Sequence, residues 1–281
     1  MSEHRPALEH IQAYADHLRL EEKSAATVEK YLRDVRAFAR WLEGREITKE
    51  RTAAWKTHLV ERGYAPASVN AMLSALNSLL DFLGFGDCRV KFLKVQRRMF
   101  RDDSRDLTRS DYNALTAAAK AQNKTRLALL MEAICATGIR VSEVQYITVE
   151  AARAGRAEVA LKGKSRTILI PSKLCRKLLK YAKQQKTASG EIFLTRNGTP
   201  LSSRQIWAEM KGLCKTAGVA ASKVFPHNLR HLFAAAFYRA SRDIVKLADV
   251  LGHSSLETTR IYLLTSGAEH QRQLDRLGLV S

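Results

Sequence analysis

The stretch Pro226-His227-Asn228-Leu229-Arg230-His231 lies in the last quarter of the 281-residue chain, and Leu251-Gly252-His253-Ser254-Ser255 and Tyr262 follow it. It brings imidazole, guanidinium and phenol groups together at short spacings. Such groups can hold an anionic phosphate and attack it with an oxygen nucleophile. If they converge in the fold, they form a site for phosphoryl transfer.

The charge of the chain indicates a polyanionic partner. Lys and Arg together number 47 against 28 Asp and Glu, which gives a formal net charge of +19 and a pI of about 10.0. An excess of this size favours nucleic acid as the partner. The alternative is a merely soluble basic protein. It is less favoured because the charge accompanies globular patterning, with 46% hydrophobic residues, rather than a disordered basic tail.

The sequence predicts no membrane segment, no bound metal and no cofactor. No apolar run reaches the ~18 residues that a membrane span needs. Residues 1–6 lack the apolar centre of a signal peptide, so we expect a cytoplasmic protein without a membrane partner. The cysteines stand far apart and form no C-x-x-C pair, which favours reduced, structural thiols. They are Cys88, Cys135, Cys175 and Cys214.

Residues 1–88 are predicted to form a helical domain. Apolar residues repeat with a helical period over 8–18, and again over 28–42 after the capping sequence Ser24-Ala25-Ala26-Thr27. Two further helices are expected over about 48–62 and 67–83, each followed by glycine. The pattern is typical of a compact helical bundle.

Residues 89–106 differ from their surroundings, because basic residues crowd together there with little apolar period. We interpret this segment as a linker between domains that lies near DNA phosphates. The candidate phosphate contacts are Arg97, Arg98 and Arg101. The alternative is a solvated linker that does not contact DNA.

Residues 107–281 are predicted to form a second domain, mainly helical with one small β-hairpin. The strands of the hairpin are expected over 157–161 and 167–170, around Lys162-Gly163-Lys164. We therefore expect a mainly α protein with a small β-sheet. The expected helices start near 107 and 141 and cover about 125–137, 172–185, 203–216, 226–239, 243–250 and 255–263, with an amphipathic tail at 267–278.

Several motifs carry the chemistry, although each is weak alone. Gly138 lets the backbone turn between two helices and can direct Arg140 into a cleft, where Glu143 can orient it. His227 and Arg230 share one face of a helix and can both donate to phosphate. Taken singly, such residues are more often surface charges.

His253 and Tyr262 complete the set. His253 follows a glycine turn at a predicted helix start, where a lone histidine is more often structural than catalytic. Tyr262 lies between Ile261 and Leu263, so its alternative role is that of a partly buried tyrosine at a helix interface.

The order of these motifs along the chain indicates a protein family far more specifically than any single motif does. From the glycine-arginine turn, through the lysine hairpin, to the terminal tyrosine, the chain resembles the tyrosine recombinase (phage integrase) family over nearly its whole length. The resemblance rests on Ala136-Thr137-Gly138-Ile139-Arg140, Leu251-Gly252-His253-Ser254-Ser255 and Thr258-Thr259-Arg260-Ile261-Tyr262. It implies a helical, SAM-like core-binding domain, a basic linker and an α+β catalytic domain.

The resemblance also implies roles for the residues. Tyr262 would attack the scissile phosphorus and form a 3′-phosphotyrosyl bond, which conserves the bond energy so that neither ATP nor metal is needed. Arg140 and Arg230 would clamp the nonbridging oxygens. Donors or proton acceptors would come from His227 and His253. A hairpin lysine would protonate the leaving 5′ oxygen: Lys162 is preferred, and Lys164 is the other candidate.

The partner implied is double-stranded DNA with a specific recombination site. Family members act as homotetramers on two synapsed sites, so we expect the same assembly on DNA and a monomer or dimer without DNA. We expect the tail, 266–281, to pack either on a neighbouring subunit or on its own domain. Two alternatives remain open at this point. One is a type IB topoisomerase-like enzyme that relaxes DNA by the same chemistry, and the other is a non-catalytic DNA-binding protein on the same fold.

Overall fold

The computed structural model describes residues 8–95, 103–161, 164–262 and 275–277. The chain forms two compact units, Met1–Arg97 and Arg98–Ser281. Helices dominate the described residues, whose only sheet is a two-stranded antiparallel hairpin, so the predicted mainly α fold with a small sheet is confirmed. Among the described helices, none combines the length and the apolar character needed to cross a lipid bilayer.

The first unit is built from four helices whose starts follow from the local sequence. Ser24 caps the second helix by accepting a hydrogen bond from the Thr27 N–H, and Pro66 occupies the first turn of the fourth, where no N–H is needed. All four predicted helices are present. They are α1 (Leu8–Leu20), α2 (Ala25–Leu42), α3 (Lys49–Glu61) and α4 (Pro66–Phe82).

Two asparagines of α4 hold the chain that follows the bundle. The side-chain amide of Asn77 donates to the Val90 carbonyl over 3.0 Å and accepts from the Val90 N–H over 2.9 Å. Asn70 pairs with the backbone of Leu93 in the same way, over 3.0 and 2.8 Å. The first residues of the expected linker are thus hydrogen-bonded along α4.

The second unit surrounds one helix that is buried on nearly all sides. This helix, α6, packs against four other helices and carries core residues such as Leu127, Met131 and Ile134. The helices of the unit are α5 (Arg109–Ala121), α6 (Thr125–Thr137), α7 (Val149–Ala154), α8 (Ser172–Gln184), α9 (Ser203–Lys211), α10 (Cys214–Ala217), α11 (Pro226–Ser241), α12 (Ile244–Leu251) and α13 (Leu256–Arg260).

The hairpin joins β1 (Arg156–Leu161) to β2 (Lys164–Leu169), with pairs running from Arg156 and Leu169 to Leu161 and Lys164. Alternate residues such as Val159 and Ile168 are buried in the core, as period-2 alternation requires. The hairpin is therefore packed on one face and exposed on the other.

Four details differ from the sequence-based expectation. The second strand begins at Lys164 rather than at 167, so Lys164 lies in the strand and not before it. The segment after Gly138 is a 3₁₀ helix, Val141–Tyr146, rather than an α-helix. The helix expected over 203–216 is divided into α9 and α10 by a turn at Gly212 and Leu213, consistent with the low helix propensity of glycine. The short helix α7 was not expected at all, since six residues are too few to display a period.

Candidate active site

Gly138 sets the geometry at the centre of the second unit. It ends α6 with φ of +66°, a left-handed conformation that glycine adopts without strain. A Cβ at this position would lie 2.3 Å from Cδ1 of Phe233 on α11. Glycine therefore allows both the sharp turn toward Arg140 and the close approach of α11.

Arg140 is held by the buried carboxylate of Glu143. The backbone N–H of Arg140 donates to Glu143 Oε2 over 2.7 Å, and its Nη1 donates to Oε1 over 2.9 Å. Nη2 of Arg166, on β2, donates to the same carboxylate. Burial alone would raise the pKa of Glu143, but these hydrogen bonds and the Arg166 charge hold the pKa below its ordinary value. The side chain of Arg140 stays 42% exposed and can reach a ligand.

Arg230 lies on α11 and is only 1% exposed. Its Nη1 donates to the Gly138 carbonyl, and its Nη2 donates to the Leu251 carbonyl over 2.8 Å. Its Nε donates to the hydroxyl of Tyr262 over 3.4 Å. Burial lowers the pKa of Arg230, and the hydrogen bond to Tyr262 acts in the opposite direction. The guanidinium is thus a positive charge held in place by two backbone carbonyls, from Gly138 and Leu251.

His253 follows Gly252, which ends α12 with φ of +63°. Its Nε2 lies 2.9 Å from Nη2 of Arg230, and its Nδ1 lies 2.8 Å from Oγ1 of the buried Thr259. A guanidinium can only donate, so Nε2 accepts and the imidazole proton sits on Nδ1. Burial and the charge of Arg230 lower the pKa of His253 to about 4.

Tyr262 lies at the meeting point of these groups, just after α13. Its backbone N–H donates to the Thr259 carbonyl over 3.0 Å, and its side chain is 7% exposed. The ring packs among apolar residues of α11 and α12, and its plane is within 13° of the His253 ring at a centroid distance of 5.8 Å. The hydroxyl faces Arg230.

Two further imidazoles of α11 lie beside the tyrosine. His227 is exposed at the start of the helix, with its ring centroid 6.1 Å from that of Tyr262. His231 is closer, at 4.4 Å from Tyr262, and meets His227 edge-on at 4.5 Å. His231 lies in the stretch Pro226–His231, but no role for it was predicted from the sequence. Its spacing of one helical turn from His227 was the available signal.

Five of the predicted site residues therefore come together in the second unit: Arg140, His227, Arg230, His253 and Tyr262. Sequence reasoning also missed two of their supports, Arg166 and Thr259. Lys162 lies outside the described residues, and Lys164 is the first residue of β2, so the choice between the two lysines stays open. The linker arginines Arg97, Arg98 and Arg101 also lie outside the described residues.

Among the described residues, no group of three or more His, Cys, Asp or Glu side chains could hold a metal ion. The four cysteines are free thiols, three of them buried.

Family models match both units. The model of the phage integrase family matches residues 105–268, and that of the phage integrase N-terminal SAM-like domain matches residues 11–84. The chain is 30% identical over 282 residues to tyrosine recombinase XerA of Thermococcus kodakarensis, covering 97% of this chain and 95% of that protein. It is 32% identical over 273 residues to tyrosine recombinase XerD of Brucella suis biovar 1, covering 86% and 88%.

Solved structures share the fold. A lambda integrase tetramer bound to a Holliday junction matches with a TM-score of 0.73 at 21% identity, covering 93% of this chain and 78% of that one. The XerH site-specific recombinase bound to its difH substrate matches with a TM-score of 0.68 at 16% identity, covering 97% and 90%.

Proposed function

Because the chain belongs to the phage integrase family of tyrosine recombinases, we propose that it is a site-specific recombinase that cleaves and rejoins DNA through a 3′-phosphotyrosyl intermediate. One observation carries the proposal: the hydroxyl of Tyr262 accepts a hydrogen bond from the buried guanidinium of Arg230. An oxygen nucleophile thus lies beside the cation that a phosphate would need.

Tyr262 performs the covalent step. Its phenol oxygen attacks the scissile phosphorus, the bond from phosphorus to the 5′ oxygen breaks, and the tyrosine proton passes to a base. The leaving 5′ oxygen takes a proton from a hairpin lysine, Lys162 or Lys164. Attack by a 5′ hydroxyl on the phosphotyrosine reverses these events. The phosphodiester energy is kept in the covalent bond, so the cycle needs neither ATP nor a metal cofactor.

The two arginines stabilise the charge that builds up on the phosphate. Arg140 presents a half-exposed guanidinium whose direction is fixed by Glu143. Arg230 is buried, and its Nε donates a hydrogen bond to the hydroxyl of the nucleophile, Tyr262. As the tyrosine oxygen forms its bond to phosphorus, this Nε–H can donate to a nonbridging phosphate oxygen instead. The hydrogen bond between Arg230 and the phosphate is then stronger in the transition state than in the ground state.

The imidazoles have different tasks. His227 is exposed at the start of α11, beside Tyr262, so it can donate to the phosphate or accept the tyrosine proton. His253 accepts from Arg230 and thereby fixes the direction of that guanidinium.

The partner we propose is double-stranded DNA carrying a specific site. Support comes from the solved structures of the same fold, which include a lambda integrase tetramer on a Holliday junction and XerH on difH. The chain would act as a homotetramer on two synapsed sites, in the cytoplasm, and as a monomer or dimer without DNA. Residues 1–88 would bind the core of the DNA site, and residues 107–281 would carry out strand cleavage and rejoining. Residues 89–106 would link the two domains, and their Arg97, Arg98 and Arg101 would contact DNA phosphates.

A covalent adduct tests the chemistry. Nicked duplex fragments from the genome that encodes this chain are incubated with the protein, and adducts that survive denaturation are collected and sequenced. The fragment so recovered is called the selected duplex. The wild type should form the adduct and Tyr262→Phe should form none while still binding the duplex. Absence of a wild-type adduct, or an adduct with Tyr262→Phe, would contradict the proposal.

Assembly is tested separately. Removal of residues 266–281, most of which lie outside the described residues, should weaken recombination between two selected duplexes more than binding to one. Full recombination by the truncated protein would contradict the tail's role between subunits. Relaxation of any supercoiled plasmid by a monomer would instead favour the topoisomerase-like activity.

A further inference from the structure

We propose that Arg166 is a positioning residue that fixes three separate segments of the active site to one another. The inference rests on the proposed function, because it concerns the residues assigned there to strand cleavage. Arg166 itself touches neither Tyr262 nor Arg230 through any hydrogen bond in the described structure.

Arg166 bonds to two segments of the chain at once. Its Nη2 donates to the carboxylate of Glu143, which holds Arg140. Its Nη1 donates to the carbonyl of Val250 over 3.1 Å, at the end of the helix that leads to His253. Arg166 itself is on β2, two positions after Lys164, the described one of the two candidate lysines. One side chain therefore connects the Arg140 turn, the His253 turn and the lysine hairpin.

The surrounding packing is built for this side chain. A Cβ at Gly252 would lie 2.2 Å from Cδ of Arg166, so the arginine crosses directly over the glycine backbone. The Arg166 side chain is only 14% exposed. Its Nε is buried and has no hydrogen-bond partner among the described residues, which is an unfavourable arrangement for a polar atom. The unpaired Nε is therefore tolerated in the folded protein, while both Nη atoms keep their hydrogen bonds to Glu143 and Val250.

Only arginine can make both contacts. Its planar fork carries donors that diverge toward Glu143 and Val250, whereas a lysine has one point of charge and can satisfy one of them. Loss of the two-armed guanidinium should lower stability, because the buried Glu143 loses a partner, but it should leave the DNA contacts in place. It should misplace Arg140 and His253 relative to the lysine hairpin.

The test compares Arg166→Lys and Arg166→Gln with Arg156→Gln, a control on β1 of the same hairpin. Arg156 is 66% exposed, and its recorded ion pair is with Glu158 on the same strand. Two quantities are measured on the selected duplex. One is the single-turnover rate of adduct formation at saturating protein, and the other is the dissociation constant of each variant in a Tyr262→Phe background, where no cleavage occurs.

Misplacement of catalytic groups by about 1 Å lowers rates on the order of 100-fold, so we expect a loss of about that size for Arg166→Gln and a smaller one for Arg166→Lys. The dissociation constants and the control rate should change little. A wild-type rate for Arg166→Gln at saturation, or a loss that follows weaker binding alone, would overturn the inference.

Folding is checked by thermal melting. If Arg166→Gln does not fold, Arg166→Lys keeps the charge and decides the matter: a saturating rate equal to that of the wild type would overturn the inference. Failure of the proposed function gives a different pattern, since the wild type would then form no adduct at all.

Discussion

Arg230 donates a hydrogen bond from Nη2 to Nε2 of His253 over 2.9 Å, so this imidazole nitrogen carries no proton. Burial is the largest cause that lowers the pKa of His253, to about 4, and the facing charges of Arg230, Arg140 and Arg166 act in the same direction, as does His227. Nδ1 is satisfied by Thr259, and Tyr262 stacks on the ring. These contacts all favour the neutral form of the His253 imidazole.

We predict that the His253 imidazole stays neutral from pH 8 down to about pH 5, with its proton on Nδ1. The measurement is ¹⁵N NMR of histidine-labelled protein, with the resonances assigned from their loss in His253→Gln. Because the unfolded chain takes up this proton near pH 6.5 and the folded chain only near pH 4, His253 contributes stability that is lost as the pH falls between those values. A titration midpoint near 6.5 in the folded protein would contradict the lowered pKa, and ¹⁵N shifts that place the proton on Nε2 would contradict the tautomer.

Thr259 should matter through its hydroxyl. Its Oγ1 accepts the His253 Nδ1–H within a fully buried position, so Thr259→Val leaves a buried N–H unpaired. We expect the free energy of unfolding to fall by about 2 kcal/mol. Adduct formation should slow as well, since the ring that orients Arg230 is no longer fixed.

The neighbouring Thr258 provides the matched control. It is exposed on the same short helix, so Thr258→Val makes the same chemical change without removing a buried acceptor. Urea denaturation and the adduct rate should both stay near wild type for this variant. Equal effects of the two substitutions would show that the buried hydroxyl has no special role.

Glu143→Gln should be among the most damaging substitutions at the site. The carboxylate is fully buried between the guanidiniums of Arg140 and Arg166, which both donate to it. In the glutamine variant, the amide NH2 group would face an arginine N–H, so two donors would meet with no acceptor. Removing one member of a buried charge cluster costs about 3–5 kcal/mol. Glu158→Gln, on the exposed face of the hairpin, should cost almost nothing in the same denaturation experiment.

Sequence periodicity predicts the helices well where they are long and amphipathic. The apolar residues between Val28 and Leu42 lie on one face, and that face is the buried side of α2. The same reasoning fails for the turn after Gly138, which is 3₁₀. There the stabilising contacts of Glu143 are with Arg140 and with the distant Arg166, and such contacts leave no period in the sequence.

Convergence of the site was predictable only through family resemblance. Spacing places His227 and Arg230 on one helical face, but it does not bring them to Tyr262, because that requires α11, α12 and α13 to pack together. Arg166 illustrates the limit. In the sequence it is one basic residue in a strand, and its role depends on a carbonyl 84 residues away.

Gly138 and Gly155 allow the cost of a close approach to be separated from the cost of backbone strain. Both end a helix with positive φ, at +66° and +71°. A Cβ at Gly155 would meet nothing within 4 Å, whereas one at Gly138 would meet the Phe233 ring at 2.3 Å. Gly155→Ala should therefore cost about 1 kcal/mol from strain alone, and Gly138→Ala about 3 kcal/mol, because the ring and α11 must also shift.

The difference has a functional consequence, because Phe233 lies one turn after Arg230 on α11 and the Gly138 carbonyl accepts from that arginine. Gly138→Ala should slow adduct formation at saturating protein, while Gly155→Ala should leave the rate unchanged. Denaturant unfolding and the single-turnover assay measure the two effects on the same samples. Equal losses of stability in the two variants would mean that Phe233 yields freely and that glycine is required at position 138 for its φ alone.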